Sequence, residues 1–125
     1  MQLKITLLLF VSVLFYNSNY AQSKSFEWAT SYGGKTAVQS FSIATDASGN
    51  TYSTGFFSDT VDFDPNAGVR ALTSQGGTDI FLMKLNQNGS FAWAVSFGGT
   101  SRDEGLSLTT DKSGNVYVAG LLVVE

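Results

Sequence analysis

Past residue 25 the chain alternates bulky and small side chains with a period of two. Phe26, Trp28, Thr30 and Tyr32 oppose Glu27, Ala29 and Ser31, and Phe91, Trp93, Val95 and Phe97 oppose Ala92, Ala94 and Ser96. Successive Cβ atoms on an extended chain point to opposite faces, so this alternation predicts strands. A bulky face backed by a small-residue face suits a strand held between two layers. Phe41, Ile43 and Thr45 then lead into Asp46-Ala47-Ser48-Gly49-Asn50, and residues 51–57 lead out, which predicts a hairpin. Residues 106–115 and 116–122 rebuild that hairpin. The run Ile80-Phe81-Leu82-Met83-Lys84-Leu85 is nearly continuous in apolar residues, as an inner strand covered on both faces would be. It reaches Asn88-Gly89, a strong hairpin signal, and returns as residues 91–97. No window beyond the first segment shows sustained helical periodicity.

The pattern is also a repeat. Residues 26–55 are written again, without a gap, at 91–120, an offset of 65. Trp28-Ala29 returns as Trp93-Ala94, Gly33-Gly34 as Gly98-Gly99, Asp46 as Asp111, Ser48-Gly49-Asn50 as Ser113-Gly114-Asn115, and Tyr52 as Tyr117. Units of this kind cannot bury their apolar faces alone and stack on their neighbours.

One period holds four predicted strands, at about 41–46, 51–57, 79–86 and 91–97. Four antiparallel strands per repeat, apolar on both faces, is the unit of a β-propeller blade. A two-sheet sandwich competes, but it does not require strands that repeat in register with the same Trp and Gly-Gly. The expectation is therefore all-β. An outer-type strand at 26–32 precedes a full blade over about 41–97 and a partial second blade over about 106–125, an incomplete propeller of about one and a half blades. Trp28 and Trp93 are expected in equivalent, core-packing positions.

The segment Ser42-Ile43-Ala44-Thr45-Asp46 through Gly49-Asn50-Thr51-Tyr52 to Gly55 resembles the SBBP-type β-propeller repeat. So does Asp79-Ile80-Phe81-Leu82-Met83-Lys84-Leu85 followed by Asn88-Gly89 and Trp93-Ala94…Gly98-Gly99. Val61-Asp62-Phe63-Asp64-Pro65 is similar to a loop of the variant common in exported bacterial proteins. The resemblance covers nearly all of residues 22–125. It implies a secreted or surface protein built on a multi-bladed ring, and no single reaction or ligand. The pattern departs at the C-terminus, where Phe56-Phe57-Ser58-Asp59-Thr60 becomes Leu121-Leu122-Val123-Val124-Glu125. The chain stops inside a blade and reads as a truncated fragment.

Ahead of the repeats, Met1-Gln2-Leu3-Lys4 is a short basic start. Residues 5–15 are apolar apart from Thr6 and Ser12, and Ala21 is a small residue placed for a cut. That is the layout of a secretory signal peptide over residues 1–21. The apolar run is roughly half of the ~20 residues a membrane span needs, which argues against stable insertion. Cleavage removes Lys4 and leaves 6 basic against 10 acidic residues, a net charge of −4. Lys and Arg are nowhere clustered, so the footprint of a nucleic-acid binder is missing. The 13 glycines and 14% aromatics favour short strands and tight turns.

The chain has no His and no Cys. Ser-His-Asp triads, Cys-His dyads, disulfides and the usual zinc sites are therefore excluded. Carboxylates remain. Asp103-Glu104 reads as a solvated turn, because adjacent residues on an extended chain point apart and would not flank one bond. Asp46 and Asp111 read as turn caps, and the two Gly-Gly pairs as strand-end turns. The metal candidate is calcium at Asp62, Asp64 and Asn66, since oxygen side chains at alternate positions resemble the opening of a calcium loop. Three side chains fall short of the six to eight oxygens calcium takes. Ala67 stands where that loop has Gly, Pro65 stiffens the turn, and Thr73 replaces the bidentate Glu. A plain surface loop is the favoured alternative.

The function expected from these features is a non-enzymatic binding or scaffold module for a protein or glycan ligand. One alternative is part of a propeller hydrolase or lyase whose catalytic carboxylates lie in other blades. Another is a truncated gene product without independent function. Partners would be remaining blades, or further copies through open strand edges.

Overall fold

The computed structural model describes residues 26–123; the expected signal peptide at 1–21 lies outside them. Eight strands follow in order: β1 (Val38–Thr45), β2 (Thr51–Phe57), β3 (Thr60–Asp62), β4 (Ala71–Thr73), β5 (Asp79–Leu85), β6 (Phe91–Phe97), β7 (Glu104–Thr110) and β8 (Val116–Leu121). The described residues contain no helix. One antiparallel sheet runs β1-β2-β5-β6, while β3-β4 and β7-β8 form two-stranded ladders. The fold is all-β, with one complete four-stranded unit and a second hairpin stacked on it. The described residues do not close a ring.

Repetition reaches the irregularities of the ladders. The register of β1 against β2 shifts between Ser40 and Ser42, and that of β7 against β8 shifts at the equivalent Gly105 and Ser107. Each bulge lies opposite a glycine, with Ser40 facing Gly55 and Gly105 facing Gly120. A Cβ on Gly55 would run into the Gln39 carbonyl, and one on Gly120 into that of Glu104. The repeated glycine is thus the residue that lets a bulged strand approach its neighbour.

Two apolar clusters hold the sheet from its two faces. On the first face Phe57, Phe81, Met83 and Leu85 pack with Val61 and Phe63 of the β3–β4 excursion, flanked by Trp28 and Tyr32. Phe63 lies at the centre, with ring centroids 4.9 Å from Phe81, 5.2 Å from Phe57 and 5.7 Å from Tyr32. Full burial of one such ring contributes about 1.5–3 kcal/mol. On the second face Tyr52 and Leu82 pack with Leu108 of β7, joined by Val116 and Val118 of β8. This second cluster is the joint between the repeat units.

Three sequence expectations need correction. Residues 26–32 form no strand. Their mate β6 pairs with β5, but no described strand lies alongside 26–32, and alternation alone cannot make a ladder. Gly33 makes only an isolated bridge to Asp62. Trp28 and Trp93 consequently differ in surroundings. Trp28 packs on the first face, and Trp93 lies 36% exposed in β6 with its ring edge-on to Tyr52 on the second. Finally, Asp103 is not solvated but fully buried, and Glu104 begins β7.

Candidate functional site

Three hairpin turns share one geometry. In each, the first residue's N–H donates to the carbonyl four residues on, as from Asp46 to Asn50, Asn86 to Ser90 and Asp111 to Asn115. The N–H of the glycine three residues on donates back to the first residue's carbonyl. Gly49, Gly89 and Gly114 all have φ near 80°, a conformation glycine adopts at little cost. All three turns lie on one rim, because β1–β2, β5–β6 and β7–β8 turn at the same end of their strands.

Asp46 and Asp111 cap these turns as expected, with more partners than the sequence gave reason to count. Asp46 Oδ1 accepts from the N–H groups of Ser48 and Asn50, each at 2.9 Å. Its Oδ2 accepts from Asn50 Nδ2 at 2.8 Å and the Tyr52 hydroxyl at 3.1 Å. Asp111 does the same with Ser113, Asn115 and Tyr117. The Asn50 side-chain amide is the chief cause holding Asp46 below the usual carboxylate range, against an opposing desolvation. The Asn115 side chain does this for Asp111, whose carboxylate in turn raises the Tyr117 phenol by accepting its hydrogen bond.

Between the first two turns opens a cleft of about 790 Å³, lined by Glu27, Trp28, Ser48, Asn50, Asn86 to Asn88 and Ser90. Its wall is amide and hydroxyl, with one carboxylate from Glu27 and a single indole. Trp28 Nε1 donates to the Gln87 carbonyl at 2.9 Å, fixing the ring against the β5–β6 turn. A smaller gap of about 170 Å³ separates the first and third turns. The rim is rich in hydrogen-bonding groups and short of acid–base pairs. It can hold a polar ligand; Asp46 and Asp111 both line the smaller gap, each carboxylate engaged within its own turn.

The calcium candidate folds as a turn whose side chains accept from its own backbone and from that of β6. Asp62 Oδ1 accepts from the N–H of Asp64 at 3.0 Å and of Arg70 at 2.8 Å. Asp64 Oδ1 accepts from Asn66 N–H, and Asn66 Oδ1 accepts from Phe91 N–H, each at 2.8 Å. An oxygen of each side chain is thus engaged by backbone. Among the described residues no group of three or more His, Cys, Asp or Glu side chains could hold a metal ion. Through Asn66 this loop ties the β3–β4 connection to β6.

Sequence reasoning missed the buried carboxylates. Asp79 is 1% exposed and Asp103 is 0%. A Cβ on Gly98 would fall 2.6 Å from Asp79 Oδ1 and 2.8 Å from Asp103 Oδ2, so this glycine makes room for both. Asp103 accepts from Gly99 N–H at 2.8 Å and from Val123 N–H at 2.7 Å, and Asp79 from Gln75 N–H at 3.2 Å. They secure the end of the sheet opposite the turn rim. Gly98-Gly99 followed by Asp103 was the available signal, though Val38 at the equivalent first-repeat position hid it.

A four-stranded antiparallel sheet followed by a stacked copy of its first hairpin defines a repeat protein of β-propeller-like build. Among curated proteins, an uncharacterized WD repeat-containing protein of Acanthamoeba polyphaga mimivirus is 27% identical over 107 residues. That similarity covers 74% of this chain, which spans only 8% of the viral protein. No family model and no solved structure matches the chain.

Proposed function

We propose that the chain is an exported binding or scaffold module of the SBBP-type β-propeller class, using its turn rim to hold a protein or glycan ligand. The observation that carries the reading is the cleft between the β1–β2 and β5–β6 turns. It is open, lined by hydrogen-bonding side chains and backed by one fixed indole. Such a surface suits a neutral ligand bound through many modest hydrogen bonds and one stacking contact. The likeness to a WD repeat-containing protein supports a scaffold role, and the basic-apolar-small layout of residues 1–21 supports export.

The test is calorimetric titration of the chain with panels of neutral oligosaccharides and extended peptides. Glu27→Ala and Asn88→Ala should each weaken binding severalfold without shifting the melting midpoint by more than a few degrees. Binding indifferent to both substitutions would move the site off this rim. Turnover of any panel member would replace the binding module with the hydrolase or lyase reading.

A further inference from the structure

The joint between the two repeat units is formed once among the described residues, and both of its halves are displayed a second time there with their central side chains exposed. In the joint, Leu108 of β7 is 8% exposed against Tyr52, which is 3% exposed. Two hydrogen bonds fix the approach. Leu108 N–H donates to Ser42 Oγ, and Thr110 Oγ1 donates to the Thr45 carbonyl, each at 3.1 Å. The contact runs chiefly through β1, β2 and β7, with β5 only grazing it.

Stepping each residue by 65 gives its mate in the other unit. The mate of Leu108 is Ile43, which is 70% exposed, and the mate of Tyr52 is Tyr117, which is 56% exposed. Ile43 stands beside a groove of about 350 Å³ walled by Trp28, Tyr32, Phe41 and Met83. Tyr117 lies on the face of β8 turned away from Val116 and Val118, which fill the joint. The bonding groups are duplicated too. Ser107 is the mate of Ser42, Thr110 of Thr45, and the Ile43 N–H is the mate of the Leu108 donor. One end of the molecule therefore presents the Leu108-type half of the joint and the other end the Tyr52-type half.

We infer that the face bearing Ile43 is a docking surface for a second copy of this chain, which covers it with the outer face of its β7–β8 hairpin. Ile43 packs on the partner copy's tyrosine in the way Leu108 packs on Tyr52 within one chain. β1 and β2, which carry most of that half of the internal joint, have their mates in β7 and β8, so the hairpin supplies the necessary half. The contact is heterologous, one end of each copy meeting the other end of the next, so association proceeds head to tail instead of stopping at a two-fold dimer. This surface lies on the sheet face and shares only Trp28 with the lining of the turn-rim cleft.

Because the chain has no cysteine, directed cross-linking reads the geometry cleanly. Ile43→Cys and Tyr117→Cys variants, mixed and gently oxidised, should form a disulfide-linked pair, while neither variant alone should do so. In sedimentation, the chain should show concentration-dependent species beyond the monomer. Ile43→Asp and Tyr117→Asp should each weaken association at least about tenfold, as expected for loss of a central apolar anchor. Val69→Asp, at an exposed position in the β3–β4 connection, should leave association unchanged. Melts of the Asp variants under dilute conditions confirm that the monomer still folds. A chain that stays monomeric at ~100 μM, a level at which micromolar contacts are populated, overturns the inference. So does cross-linking of Ile43→Cys to itself, or association insensitive to Ile43→Asp.

Discussion

Gly89 and Trp28 occupy one space between them. A Cβ built on Gly89 would fall 2.9 Å from Trp28 Cδ2, and the glycine sits at φ 79°. Gly114 has φ 82° in the matching turn, with nothing within 4 Å of its absent side chain. The pair separates two effects that glycine substitutions normally mix. Gly114→Ala should cost about 1–2 kcal/mol from left-handed backbone alone. Gly89→Ala should cost more than Gly114→Ala, and only Gly89→Ala should shift the tryptophan emission as the indole leaves its seat. Urea melts followed by fluorescence measure both quantities. Equal costs with unchanged emission would show that Trp28 does not rest on this turn.

The acid limb of stability should come in part from the turn carboxylates. Asp46 and Asp111 are held below their ordinary values, chiefly by the side-chain amides of Asn50 and Asn115. A depressed carboxylate contributes stability that is fully present above the unfolded value and lost as pH falls through the folded one. Stability should therefore hold between neutral pH and about pH 5 and decline below about pH 4. Tyr117 runs the other way. Its raised phenol contributes below the unfolded value near ~10 and loses that contribution at higher pH. Asp46→Asn and Asp111→Asn should flatten the acid decline in melts recorded from pH 7 to pH 2.5. An unaltered slope in both variants would assign acid unfolding to other groups.

The alternation of large and small side chains carried most of the ladder into view. Residues 51–57 and 91–97 were expected as strands and are β2 and β6 with the same bounds, and 79–86 differs from β5 by one residue. These strands are long enough for a period of two to register, and their turns carry glycine at fixed offsets. β3 and β4 are three residues each, too short for any period to show, though Val61 and Phe63 already alternate toward the core. Residues 26–32 failed for the opposite reason: the pattern is present, but a ladder depends on a neighbouring strand the pattern cannot report. The burial of Asp103 had only the nearby Gly98-Gly99 as a signal, because the groups that accommodate it, Gly98 and the N–H groups of Gly99 and Val123, converge only in three dimensions.

The proposed export makes a direct prediction. Residues 5–15 are too short to span a bilayer, and five residues separate them from Ala21, the small residue placed for a cut. Expressed in a host with a secretory pathway, the chain should appear outside the cell with an N-terminus near Gln22. Terminal sequencing that reads from Met1 on secreted material would count against cleavage there.

Calcium should have little influence on the Asp62–Asn66 turn. One oxygen of each of Asp62, Asp64 and Asn66 is already engaged by backbone N–H groups. Binding to the folded form alone would raise the melting midpoint. Millimolar calcium should leave that midpoint unchanged to within a degree or so, since this donor set offers too little to bind preferentially. Asp62→Ala, by contrast, removes the acceptor of two backbone donors and should cost about 1–2 kcal/mol with or without the ion. A calcium-dependent shift that disappears in Asp62→Ala and Asp64→Ala would assign the loop to the metal.

The buried end of the sheet should be the least tolerant of change. Asp103 is fully buried and satisfies the N–H groups of Gly99 and Val123, which tie the end of β6 to the chain after β8. Asp103→Ala leaves two backbone donors without an acceptor, each worth about 1–3 kcal/mol when it cannot reach water. Gly98→Ala attacks the same place from the other side, because its Cβ would meet the Asp79 and Asp103 carboxylates together. Gly99→Ala is the control, for nothing lies within 4 Å of a Cβ at that position. The expected order of destabilisation is Asp103→Ala and Gly98→Ala well above Gly99→Ala. The two damaging substitutions should not add in combination, since both disrupt one cluster. Denaturant melts of the three single variants and the Gly98→Ala/Asp103→Ala double variant decide the matter. Additive losses, or a Gly99→Ala cost matching the others, would mean that the carboxylates and the glycine do not act as one unit.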